Sequence, residues 1–146
     1  MASNYKRTFG VSTVTAATVT IAADAHVGQP VVMNRAAGIV ATLPAATGSG
    51  NEYLFIGAAD ASGDQVIQVT GDDTMAGYAY LGNDTASISA FYTAATSDTI
   101  TLDGSTTGGL KGWRVVATDI AADTWAVEVR SEASGTEATP FSAAVT

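Results

Sequence analysis

Cysteine is absent from the 146 residues. Disulfides and thiolate metal sites are therefore excluded from any account of the fold. Charge is also scarce: charged residues make up 14% of the chain, where about 25% is usual. Six basic residues stand against fourteen acidic ones, for a net charge of −8. With no basic stripe to displace counterions, nucleic acid is not an expected partner. No apolar run approaches the roughly 18 residues of a membrane span, so no membrane partner is expected either. The opening MASNYKRTFG has two basic residues but no apolar stretch behind them, unlike a secretory leader. The phrase LPAATG (residues 43–48) is one residue too long for an LPxTG-type cell-wall sorting motif, and no apolar tail follows it.

Small, neutral side chains fill the space that charge leaves. Ala and Thr together supply roughly a third of the residues, and apolar types reach 47%. A chain of this length with that apolar content builds one domain with a modest core. A surface of small, weakly hydrated groups gains most when neighbouring subunits cover it, because few charges then need desolvating.

The local pattern is short alternation punctuated by Gly, Asp and Asn, which signals strands. Residues 11–22 are rich in Val, Thr and Ile, with an Ala pair marking a bulge or break near the middle. Further strands are expected at 29–34, 38–43, 52–58, 64–70, 78–81, 86–92, 99–102, 112–118 and 124–130. The phrase AADASGD (58–64) reads as the turn of a hairpin between two of them. In the last strand Trp125, Val127 and Val129 share one face; Thr124, Ala126, Glu128 and Arg130 share the other. The period of two makes the first set core. Trp113, Val115 and Ala117 repeat it, and burying the two indoles contributes about 2–3 kcal/mol each. No window of 11 residues carries helical periodicity. The expected fold is all-β: an antiparallel β-sandwich or barrel, jelly-roll-like, with extended N- and C-terminal arms. The expected divisions are an arm at 1–10, the sandwich at 11–132 and a tail at 133–146. The two ends either lie along their own domain or reach onto neighbouring subunits. The second is the preferred reading: Lys6 and Arg7 suit an acidic partner surface, and Phe9 and Phe141 suit pockets.

Catalytic chemistry finds little footing. There is one histidine, His26, among turn residues, and no G-x-S-x-G elbow, so it reads as a satisfied loop histidine. Most acids are Asp at turns (Asp60, Asp64, Asp72, Asp73, Asp84, Asp98, Asp103, Asp119, Asp123), where the side chain bonds nearby amides. Asp60, Asp64, Asp72 and Asp73 place oxygens close enough for a weak Ca2+ site, but the EF-hand spacing is missing. The stretch GSTTGGLKG (104–112) holds glycines and a lysine without the strand–loop–helix setting of a phosphate cradle, and reads as a long loop. No cofactor is expected and the chain is not expected to be an enzyme. Tyr78, Tyr80, Phe91 and Tyr92 cluster mid-chain; they either fill the core or serve an interface, and tyrosine suits the second use.

The succession LPAATGSGNEYLFIGA, DQVIQVTGDDTMAG, DTITLDGSTTGGLKGWRVVATDIAADTWAVEV and SGTEATPFSAAV resembles small β-rich structural proteins of tailed bacteriophages, of the head-decoration or minor virion type. It spans roughly residues 39–145 and rests on turn and strand phrases. The resemblance implies a component of the virion at the capsid surface, a homotrimer that binds the major capsid protein, with no catalytic residues to carry over. Tail fibres use similar β modules, so a fibre or receptor-binding module contacting the host surface is the alternative. The expected interface residues are Lys6, Arg7, Phe9, Tyr78, Tyr80, Tyr92 and Phe141.

Overall fold

In the computed structural model, which describes residues 10–146, the expected first strand is broken. It divides at Thr15–Ala17 into β1 (Ser12–Val14) and β2 (Thr18–Thr20). The break carries the chain from one sheet to the other. The same step recurs twice, from β3 (Val31–Met33) to β4 (Ile39–Thr42) and from β5 (Glu52–Gly57) to β6 (Gln65–Gln68). β1, β3 and β5 stack in parallel in one sheet; β2, β4 and β6 stack in parallel in the other. The first half is thus three stacked coils, each giving one strand to each sheet.

Close stacking at the corners selects for glycine. A Cβ at Gly63 would lie 2.3 Å from the Ala37 carbonyl oxygen, and one at Gly38 2.6 Å from that of Asp64. Both obstacles are backbone and cannot swing aside. Gly63→Ala is therefore expected to lower stability by about 1–3 kcal/mol, read as the loss in unfolding free energy in urea. An unchanged urea midpoint would show that the corners can separate without penalty.

The second half is built from β7 (Thr74–Gly82), β8 (Ile88–Tyr92), β9 (Thr99–Leu102), β10 (Arg114–Ala121), β11 (Thr124–Glu132) and β12 (Phe141–Ser142). The seven-stranded sheet runs β1-β3-β5-β10-β11-β7-β8, and the five-stranded sheet β12-β9-β6-β4-β2. The protein is an all-β sandwich of two mixed sheets. It departs from the expected antiparallel jelly roll, because half of its strand pairings are parallel, β7–β11 included. Alternation reports which face a residue occupies and is silent on strand direction. The AADASGD phrase is a corner between sheets and not a hairpin turn, since β5 and β6 lie in different sheets.

The core between the sheets holds Trp113, Trp125, Tyr53, Phe55, Ile39 and Ile67, all essentially sealed from solvent. Trp125, Val127 and Val129 point inward, as do Trp113, Val115 and Ala117, matching the alternation. A four-residue helix, α1 (Ala23–His26), is too short to register as periodicity. Its His26 is buried, and its Nδ1 lies 2.9 Å from the Ala22 amide nitrogen, closing the turn. Among the described residues no helix is long and apolar enough to cross a membrane.

The C-terminal tail corrects the arm reading. It folds onto its own domain: β12 pairs with β9, and Phe141 joins the core. Phe141 is therefore a packing residue of this chain and not an exposed anchor for a neighbour. A two-residue strand has no alternation to betray it in the sequence. Lys6, Arg7 and Phe9, and with them most of the expected N-terminal arm, lie outside the described residues.

Candidate binding face on the seven-stranded sheet

The alternation that buries one face of the larger sheet displays the other. Strand register aligns Leu54, Val116, Glu128, Tyr78 and Tyr92 in one row across β5, β10, β11, β7 and β8. The row beside it is Ile56, Arg114, Arg130, Tyr80 and Ala90. The three tyrosines expected at an interface are thus brought together. Tyr78 and Tyr92 face each other across β7 and β8, and the rings of Tyr78 and Tyr80 lie 4.8 Å apart. Tyr92 is 72% exposed. Phe91, one residue before it, packs against the core, so the aromatic cluster divides by face.

Charges on this surface are few, and one pair of them is engaged; Arg114, opposite Arg130 in the register, has no ion-pair partner among the described residues. The Arg130 guanidinium Nε donates to the Glu128 carboxylate. Tyr78 sits beside the same carboxylate, whose hydrogen bond holds the phenol above its ordinary value. Below the tyrosines a trough of about 270 Å3 is floored by Ala76 and Ala126, with Glu52, Thr118, Tyr78 and Glu128 at its sides. Small residues on two neighbouring strands open it; the Thr118 hydroxyl donates to Glu52 across its rim at 3.3 Å. The alternation puts Glu128 and Arg130 on a solvent or interface face without singling them out, and it does not single out Ile88 within its strand. The signal for Ile88 was the I-S-A-F-Y alternation, which exports Ile88, Ala90 and Tyr92 together.

Asp103 bonds its own 105–107 turn, but several other aspartates do structural work of longer range than turn chemistry predicts. Asp119 accepts hydrogen bonds from the amides of Thr47, Gly48 and Ser49 and from the Ser49 hydroxyl, some 70 positions away in the chain. This fastens the loop after Leu43 to the end of β10. Asp73 accepts from the Ala46 amide at 2.7 Å and the Trp125 indole at 3.3 Å. Asp98 accepts from the Ala144 and Val145 amides, tying down the tail. Asp60 accepts from the Lys111 amide, inside the long loop expected at 104–112. Of the four aspartates of the weak Ca2+ reading, Asp60 and Asp73 each already engage one oxygen with an amide. Among the described residues no group of three or more His, Asp or Glu side chains is placed to hold a metal.

Burial pushes the Asp119 carboxyl up, but the Ser49 hydroxyl and the three loop amides outweigh it and hold it far below the usual range. Asp98 and Asp103 are likewise lowered: burial raises each, and hydrogen bonds from Thr99 and the tail amides, or from the 105–107 loop, prevail. A lowered folded value means that the unfolded chain takes up protons first as pH falls. The stabilisation is complete above the unfolded value of about 3.9 and is lost as pH drops towards the folded values. Melting temperature is therefore expected to hold between about pH 7 and 5 and to fall steeply below about 4. Asp119→Asn should flatten part of that fall. An acid limb unchanged in the variant would remove Asp119 from the account. Comparison with protein-family models, with curated proteins and with solved structures returned no match.

Proposed function

We propose that the protein is a non-enzymatic structural component of a tailed-bacteriophage virion, which decorates and stabilises the capsid by binding the major capsid protein at the virion surface. The observation that carries this reading is the outer face of the seven-stranded sheet. It sets three tyrosines and a row of small and aliphatic side chains on a stiff scaffold, and its charges are few, with Arg130 and Glu128 paired. Tyrosine and arginine contribute most where they are desolvated in a protein interface. A face with few unpaired charges is inexpensive to cover. The acids that pin loops suit a part whose task is to keep its shape, and the net charge of −8 disfavours aggregation of coated particles.

A second reading, a tail-fibre or receptor-binding module, is favoured by the trough beside the tyrosines. Ring stacking together with carboxylate and hydroxyl acceptors is the chemistry that holds a sugar of a host surface. One experiment separates the two. Virions of the phage encoding this chain are labelled with an antibody to it and imaged in negative stain. Label over the head supports decoration, label on the tail supports the second reading, and unlabelled particles overturn both.

A further inference from the structure

The seven-stranded sheet ends at β8, whose far side pairs with no strand among the described residues; the Glu137 carboxylate reaches only the Ser89 hydroxyl, at 3.5 Å. Exposed edges are ordinarily blunted by charge, proline, a bulge or shortness. β8 has the sequence ISAFY, with neither charge nor proline, and pairs with β7 without a register shift. Its five residues outnumber the three of β1 or β2 and the two of β12, the other edge strands.

The direction of its free hydrogen-bonding groups follows from the ladder. Thr93 N–H donates to Gly77 O, and Asn83 N–H to Ser87 O. These fix the odd-numbered residues as the ones that bond to β7. Antiparallel pairing alternates bonded and non-bonded residues, so Ile88, Ala90 and Tyr92 turn their N–H and C=O groups away from β7. The same three residues carry their side chains on the outer face, where Ile88 is 71% and Tyr92 72% exposed.

We infer that this edge takes a second copy of the chain, β8 pairing antiparallel with β8 across a two-fold axis at Ala90, so that one sheet runs through both subunits. The strand is self-complementary under that reversal. Ala90 meets Ala90 of the second copy, and Ile88 meets Tyr92 at both ends. An aromatic ring beside a β-branched side chain is a favourable cross-strand pair, and no like charges are brought together. Each of the outward residues exchanges both backbone bonds with its opposite number. Tyr92 of one copy, already beside its own Tyr78, then also borders Ile88 of the other, so the tyrosine faces of the two subunits become continuous. The inference is independent of which virion part the pair attaches to, and it sets a two-fold contact where the resemblance implied a trimer.

Sedimentation of the full chain at tens of micromolar is expected to give twice the chain mass. Ala90→Pro removes the central donor from the free edge while leaving the β7 ladder its own bonds, and should give monomer with an unchanged circular dichroism spectrum. Ile88→Lys, a natural type of edge guard, should do the same and decides the matter if the proline variant does not fold. The absence of cysteine permits a positional test. Residues in a bonded antiparallel pair lie about 5.5 Å apart between Cα atoms, within disulfide reach. Ala90→Cys should therefore cross-link to a covalent dimer on mild oxidation at least about 10-fold faster than the exposed control Ser62→Cys. A monomeric or trimeric wild type overturns the inference. So does a dimer that survives both edge variants, or equal cross-linking of the two cysteine variants.

Discussion

Trp125→Ala is expected to lower unfolding free energy by about 3–5 kcal/mol. The indole is fully sealed from solvent. Its ring packs tilted against Tyr53, with centroids 5.9 Å apart, and its N–H donates to Asp73. Truncation opens a cavity at the centre of the sandwich and also leaves the buried Asp73 carboxylate with only the Ala46 amide. Domains of this size are held by about 5–15 kcal/mol in all, so the variant should unfold at a markedly lower urea concentration. Trp113 remains as the fluorescent reporter. Ile120→Ala, at an exposed position outside both proposed contacts, should stay within about 0.5 kcal/mol of the wild type. A shift below about 1 kcal/mol for Trp125→Ala would mean that the sheets collapse onto the space, and that the core is more pliable than its packing implies.

The second large effect is on association. Under the proposed decoration role, the double variant Tyr78→Ala, Tyr80→Ala is expected to weaken capsid binding at least about 100-fold, because buried tyrosines concentrate interface energy. Both residues belong to β7, inside the sheet, so β8 keeps its free edge and self-association should be unaffected. Co-sedimentation with purified shells measures the first quantity, and the mass of the free protein measures the second. Undiminished shell binding would dissociate the tyrosine face from the capsid while leaving the edge contact standing.

Side-chain alternation made the faces of the sandwich legible, and it did so down to single residues. Trp125, Val127 and Val129 lie inward and Glu128 and Arg130 outward, because period two is a property of any extended chain. Direction and neighbour were not legible. β5 and β6 are separated by a phrase that serves equally for a hairpin or for a corner between sheets, and the choice is made by coil stacking at Gly38 and Gly63. β7 is longer than the expected 78–81 because Thr74–Gly77 pairs with Thr124–Val127 on β11, a partner far along the chain. Asp103 bonds the amides of its own turn, as expected, whereas Asp119 and Asp98 bond those of remote segments. Of the expected interface residues, Tyr78, Tyr80 and Tyr92 meet on one face, whereas Phe141 was claimed by the core, where the pairing of β12 with β9 places it. Nothing local to S-G-T-E-A-T-P-F-S distinguishes a tail that folds back from one that reaches out.

The parallel union of β7 with β11 has a consequence for synthesis. Thr74 finds its partner Thr124 only about fifty residues later, so on the ribosome the three opening coils can close while the β7–β8 hairpin waits. Non-local pairing of this kind slows folding. A waiting hairpin that shows Met75, Ala79 and Leu81, all buried in the finished sandwich, is a point where nascent chains can stick to one another. Slower translation at low temperature, or a chaperone that shields the hairpin until β11 emerges, should raise the yield of folded protein.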